Sequence, residues 1–245
     1  MKKVYLLIIL FIIIILGIYM YLSYSYIYNE VSKKDLRSPD KNQTYLIGNN
    51  NYSKNLVYVS LGDSLTAGVG VDNYEQSYPY LIAEKLSGEN NIILKDRSVP
   101  GFKSGDVKNI LLPIAISDKP DIVTLLVGIN DIRDNVSKED FEKNYEQIIK
   151  ILTQETRAKI YVINIPFIGS SRLILPPYNY YFNYETNEFN KIIEGLAQKN
   201  NVQYIDLYSP TMKEFKKSDS YYSTDLLHPS AKGYNSWANI IYSEL

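Results

Sequence analysis

Cysteine is absent from the 245 residues, so the chain has no disulfide framework, no thiolate nucleophile and no cysteine-bound metal. Histidine occurs once, as His228, which excludes a multi-histidine metal site. An excess of charge of one sign is missing too. The 26 basic and 27 acidic residues leave a formal net charge of -1, without the broad basic surface that nucleic-acid binding uses. No cofactor and no nucleic-acid partner is therefore expected. The apolar share of 45% is ordinary for a globular fold, enough for a sizeable core in one large domain or two small ones.

The longest apolar run lies at the N-terminus. Lys2 and Lys3 precede VYLLIILFIIIILGIYMYLSYSYIY, which carries no charge from Val4 to Tyr28. At ~1.5 Å per residue, its ~19 most apolar positions match a hydrocarbon core of ~30 Å. The lysines favour a cytoplasmic N-terminus, and Tyr24, Tyr26 and Tyr28 cluster where an outer aromatic belt would lie. Residues 1–28 are accordingly expected to be a single-pass anchor in the cell membrane, with the rest of the chain facing outward. A cleaved signal peptide with a secreted product is the rival reading. Ser23 and Ser25 have the spacing of a processing site, although the apolar run exceeds a usual signal core.

Residues 29–55 turn polar and asparagine-rich and read as a linker. From residue 56 to 245, β-rich runs (LVYVSL, NIILKD, DIVTLLVG, KIYVINIP, VQYIDLY) alternate with helical stretches, which suggests an α/β domain whose parallel sheet is covered on both faces. Helices are expected at Tyr78–Leu86, Ser104–Ile116, Lys138–Thr153, Thr186–Lys199 and Ala231–Leu245, with Ser137 capping the third. Between the fourth strand and its helix, Leu173–Phe189 is dense in tyrosine, either a surface loop or an aromatic wall beside a cleft.

Chemistry concentrates in four segments. VSLGDSLTAGVG, residues 59–70, follows the first strand, but it lacks G-x-x-x-x-G-K-[ST], and Asn73 stands where a dinucleotide fingerprint would place its third glycine. Thr66 also breaks the G-x-S-x-G elbow. What remains is Ser64 in G-D-S-L-T at the carboxyl end of a strand, where ligands bind in open α/β sheets. A serine nucleophile needs a base, a group to orient that base and donors for the oxyanion. DLLHPS supplies the chain's sole imidazole, His228, three residues after Asp225. VGIND places Asn130 after the third strand, with a side-chain amide that donates without charge, and SVPGFKSGD offers the unshielded N–H of Gly101. Each segment alone also fits an ordinary turn.

Taken in order, G-D-S-L-T at Ser64, the glycine segment at Gly101, G-x-N-D at Asn130 and D-x-x-H at Asp225 and His228 resemble the four blocks of SGNH hydrolases, also called GDSL lipases or esterases. The resemblance spans roughly Leu56 to Leu245. It implies a three-layer α/β/α sandwich around a flavodoxin-like five-stranded parallel sheet of order 2-1-3-4-5. It implies Ser64 as nucleophile, His228 as general base and Asp225 as its orienting partner, with an oxyanion hole from the N–H groups of Ser64 and Gly101 and the Asn130 side chain. Asp96 stands where many members have asparagine.

The expected activity is hydrolysis of carboxylic esters through an acyl-enzyme. The substrate is either a lipid acyl ester such as a lysophospholipid, or a short-chain or O-acetyl ester on a glycan. The alternative is a non-catalytic, membrane-tethered binding module on the same fold. Phosphoester cleavage is disfavoured, because Lys103 and Arg133 are the only basic residues in these motifs and neither matches a family role.

Overall fold

The computed structural model describes residues 2–34, 37–42, 44–48, 55–88 and 90–245, with the side chains of residues 32–34 left aside. A long helix α1 (Lys2–Lys34) leads into the body. Strand β1 (Thr44–Ile47), strand β2 (Asn55–Gly62) and helix α2 (Tyr78–Leu86) follow, then β3 (Asn91–Ser98). The short helix α3 (Ser104–Asp106) continues through a π-helical turn, Val107–Leu111, into α4 (Leu112–Ser117). Next come β4 (Ile122–Leu126), α5 (Ile129–Arg133), α6 (Lys138–Glu155), β5 (Lys159–Ile163), α7 (Tyr178–Asn200), β6 (Gln203–Ile205), α8 (Tyr208–Phe215) and α9 (Ala231–Tyr242).

The sheet has six strands in the order β1-β3-β2-β4-β5-β6, and every pair is parallel except β1 with β3. It is thus mixed and six-stranded, where a five-stranded parallel sheet was expected. The added strand comes from the stretch read as linker, of which residues 35, 36, 43 and 49–54 lie outside the described residues. Its four residues alternate exposed and half-buried, so no apolar run marks them. Their place is set by tertiary partners: Tyr45 stacks on Tyr74 with ring centroids 5.1 Å apart, and Lys41 pairs with the buried Asp96 carboxylate of β3.

Two apolar layers hold the sheet. On one face Val59, Leu61, Val123 and Leu125 meet Phe141, Tyr145 and Ile149 of α6 and Phe189 and Ile193 of α7. On the other, Tyr58, Leu94, Tyr161 and Ile163 meet Tyr78 and Ile82 of α2 and Trp237 and Ile241 of α9. The inner strands are buried on both faces, which is why they read as continuous apolar runs rather than alternating ones. Ser137 caps α6 by accepting from the Asp140 N–H at 3.1 Å.

Three helices exceed expectation: α7 begins at Tyr178, about two turns before the predicted Thr186, and neither the short α5 nor α8 was foreseen. Strand order fixes the site. Gly62 at the end of β2 lies beside Ser98 of β3 on one side and Leu126 of β4 on the other, so the loops leaving these three strands share one sheet edge. β2 is the point at which the chain turns from one side of the sheet to the other, and ligands of open α/β sheets bind at such a point.

Candidate active site

The loop after β2 is wound into a tight turn: the Asp63 carbonyl accepts from the N–H groups of Thr66 and Ala67, and the Ser64 carbonyl accepts from Val69. Ser64 is thereby fixed at the sheet edge, largely buried with its hydroxyl toward His228. His228 arrives from the segment before α9. There the Tyr222–Pro229 bridge and the Ser223 N–H to His228 carbonyl bond, 2.8 Å, close a hairpin-like loop. Gly70 presses against this loop at a φ of +107°, and a Cβ there would strike the Pro229 carbonyl oxygen. A side chain at residue 70 would push the base away from the nucleophile.

The Ser64 Oγ lies 3.1 Å from His228 Nε2, and His228 Nδ1 lies 2.6 Å from Asp225 Oδ2. The other Asp225 oxygen accepts from the Ser223 hydroxyl at 2.7 Å and from the backbone N–H groups of Leu227 and His228 at 2.9 and 3.0 Å. Burial by itself would raise the Asp225 carboxyl. His228, the Leu227 N–H and Ser223 outweigh that, and hold it below the usual carboxylate range.

Gly101 sits in the turn after β3 with a φ of +84°, and a Cβ there would meet open space. Asn130 is in the first turn of α5. Its Nδ2 donates to the Phe102 carbonyl at 3.0 Å and more weakly to Asp63 Oδ2 at 3.4 Å. Asp131, the next residue, ties the loops together by accepting from the backbone and hydroxyl of Ser104 at 2.9 and 2.5 Å. Asp63, fully buried below the nucleophile, has its carboxyl pushed up to about 7 by burial, against the Leu65 N–H that favours the ionised form. Where relatives of the expected family carry asparagine, Asp96 is raised by burial and is countered by Lys41. It also accepts from Ser98 at 2.5 Å.

All five residues singled out in the sequence, Ser64, Gly101, Asn130, Asp225 and His228, therefore meet at one edge of the sheet. Ser64, Gly101, Asn130 and His228 line a single pocket of about 820 Å³. The tyrosine-rich segment divides: Tyr178 and the partly exposed Tyr181 line that pocket, whereas the more exposed Tyr180 and Tyr184 do not, and Tyr184 instead carries Lys138 at 5.2 Å from its ring. Lys103 and Arg133 both pair with Asp134, at 3.4 and 2.7 Å. Sequence reasoning missed the pocket residues Met20, Tyr24, Ile27, Tyr28 and Val31 of α1. Their helical spacing was present in the sequence but hidden within a nearly uniform apolar run. Among the described residues no group of three or more acidic or histidine side chains is placed to hold a metal ion.

A hydroxyl, an imidazole and a carboxylate thus stand in hydrogen-bonded series at the carboxyl ends of the parallel strands, a geometry that can support acyl transfer to serine. Residues 60–235, most of the chain, match the model of the GDSL-like Lipase/Acylhydrolase family, and the chain belongs to that family as a carboxylic ester hydrolase. It is 26% identical over 201 residues to the spore germination lipase LipC of Bacillus licheniformis, a match covering 73% of this chain and 91% of that one. The fold is similar to the lipase/acylhydrolase of Enterococcus faecalis (TM-score 0.63, 24% identity, 77% of this chain and 94% of that). It is similar also to the esterase EstA of Pseudoalteromonas sp. (TM-score 0.61, 20% identity, 77% and 95%). A third similar structure is the acetyl xylan esterase AlAXEase (TM-score 0.63, 24% identity, 77% and 98%).

Proposed function

We propose that Ser64, His228 and Asp225 form a catalytic triad that hydrolyses carboxylic esters, an assignment carried by the continuous series from Ser64 Oγ through the imidazole to Asp225. Ser64 Oγ bonds to the ester carbonyl carbon while His228 Nε2 takes its proton, and the C–O bond to the alcohol breaks as that proton passes to the leaving oxygen. Water, deprotonated by the same nitrogen, then adds to the acyl-enzyme, and the carboxylic acid leaves as Ser64 recovers its proton. Asp225 keeps the Nδ1–H tautomer and stabilises the imidazolium.

The oxyanion of each tetrahedral intermediate is received by the N–H groups of Ser64 and Gly101 and by Asn130 Nδ2. Neither backbone N–H has a hydrogen-bond partner among the described residues. The long Asn130 bond to Asp63 is the one that yields to the oxyanion, while the bond to Phe102 keeps the amide aimed. Arg133, the basic side chain that lines the pocket, is paired with Asp134, as is Lys103, which supports an acyl rather than a phosphoryl substrate.

The same reading makes α1 the membrane anchor and the region from β1 onward the hydrolase body. Residues 2–31 are long and apolar enough to cross a bilayer, and Lys2 and Lys3 favour an N-terminus in the cytoplasm with the body outside. Substrates reachable there include lipid acyl esters and short-chain or O-acetyl esters. The test is to expose the full chain in detergent to a fluorophosphonate and to locate the adduct by mass spectrometry. Modification at Ser64 that disappears in His228→Ala is expected. A folded chain that takes up no probe at Ser64 would return the protein to the binding-module reading.

A further inference from the structure

α1 is longer than a span requires. Its 33 residues rise ~50 Å at ~1.5 Å each, against a hydrocarbon core of ~30 Å. If the charge-free run that begins at Val4 enters the bilayer there, ~20 residues carry it to about Ser23. The following turns then stand at the level of the lipid headgroups and ester bonds.

Those turns are the ones that reach the catalytic pocket. Tyr24, Ile27, Tyr28 and Val31, together with Met20 one turn below, repeat at helical spacing and line the same 820 Å³ cavity as Ser64 and His228. They are fastened to the body on the far wall: the Tyr178 hydroxyl donates to the Met20 carbonyl at 3.3 Å, and the Tyr24 and Tyr178 rings lie 6.1 Å apart. Beyond the nucleophile the cavity is faced by Leu173, Ile174, Ile168 and Phe182. An acetyl group would leave this apolar volume empty. A long acyl chain would fill it, and because one wall is the membrane helix itself, its methylenes could pass from bilayer to pocket without crossing water.

The geometry points to α1 as part of the substrate site as well as the anchor. Its turns from Met20 to Val31 hold the acyl chain of a membrane-resident ester, so the substrate class is a long-chain acyl ester drawn sideways from the outer leaflet. This rests on the reading of Ser64 as nucleophile and of α1 as an uncleaved span.

The test uses the full chain reconstituted in phosphatidylcholine vesicles, with 4-nitrophenyl laurate and acetate as probes. Ile27→Trp adds bulk inside the pocket, and Phe11→Trp adds similar bulk where α1 faces lipid. A decrease of about tenfold or more in the laurate-to-acetate ratio of kcat/KM is expected for Ile27→Trp alone, the scale on which hydrophobic pockets discriminate. An unchanged ratio in Ile27→Trp, or an equal fall in Phe11→Trp, overturns the proposal.

A second measurement needs no variant. A dodecyl fluorophosphonate with a diazirine at its chain end, once attached to Ser64 and irradiated, should insert into residues 20–31. Insertion confined to α7 would reject the wall. An adduct at Ser64 together with acetate turnover but no α1 insertion overturns this inference alone, whereas absence of any adduct overturns the hydrolase reading beneath it.

Discussion

His228 and Asp225 are joined twice: the ring Nδ1 meets one carboxylate oxygen at 2.6 Å, and the His228 backbone N–H meets the other at 3.0 Å. One carboxylate thus orients both the imidazole and the loop that carries it. Asp225→Asn separates the two tasks. The retained carbonyl oxygen can still accept from Ser223, Leu227 and the His228 backbone, so the loop should keep its shape. The new amide would face Nδ1 as a donor and favour the tautomer that places a proton on Nε2, where it cannot accept from Ser64. A fall in kcat of roughly 10⁴-fold with nearly unchanged thermal unfolding is expected. A loss smaller than about tenfold, measured by initial rates at pH 8, would show that Asp225 is a structural residue only.

Asn130 has a different signature. Its bond to Phe102 is a structural interaction worth about 1 kcal/mol. The donor for the oxyanion acts mainly in the transition state and on loss typically costs ~10²- to 10³-fold in turnover. Asn130→Ala is therefore expected to lower kcat by that factor at nearly constant KM, with only a modest drop in melting temperature. If KM rises instead while kcat holds, Asn130 binds ground-state substrate and the oxyanion assignment fails.

How much of this was readable beforehand depended on where each residue gets its stability. The inner strands were legible because burial on both faces demands near-continuous apolar runs such as Ile160–Ile163. Asp225 and His228 were legible because only two residues lie between them, and Ser64, Gly101 and Asn130 because each follows a strand that could be recognised. β1 was hidden, since four half-exposed residues owe their conformation to β3 and to the Tyr45–Tyr74 stack. The first turns of α7 were hidden for another reason. Tyrosine occupies both faces there, so the pocket face of Tyr178, Tyr181, Phe182 and Thr186 could not be told from the exposed face of Tyr180 and Tyr184. In α1 the apolar pattern saturates, and no periodicity could reveal which side meets protein.

The segment before β1 is bound to the body through charge. Asp96 is buried in β3, and Lys41, half-buried, pairs with it and donates to the Ser98 hydroxyl at 2.9 Å. Removing one member of a buried pair leaves an uncompensated charge and costs ~3–5 kcal/mol, more than the pair itself contributes. Lys41→Met should lower stability on that scale at pH 8, and adding Asp96→Asn should recover most of it. Double-mutant thermal melts would check this. Strictly additive effects of the two substitutions would mean that the ion pair is not coupled in solution.

Asp63 gives the fold a pH dependence opposite in sign to that of Asp225. With its carboxyl pushed up to about 7 by burial, the native state binds this proton more tightly than the unfolded chain. Its contribution is therefore most favourable below the unfolded pKa of about 3.9, and it weakens progressively as pH rises toward 7. Asp225, held below the usual range, contributes above its unfolded pKa and loses its contribution only as pH falls through the lower folded value. Asp63→Asn removes the first dependence. The new amide also confronts the Asn130 amide 3.4 Å away, but that cost does not titrate. The difference in melting temperature between Asp63→Asn and the parent chain should thus shift in favour of the variant between pH 5 and pH 8, whatever its offset, because titrating groups not coupled to Asp63 cancel. An offset that is the same at both pH values would show that Asp63 stays ionised in the fold across this range and that burial does not govern its charge.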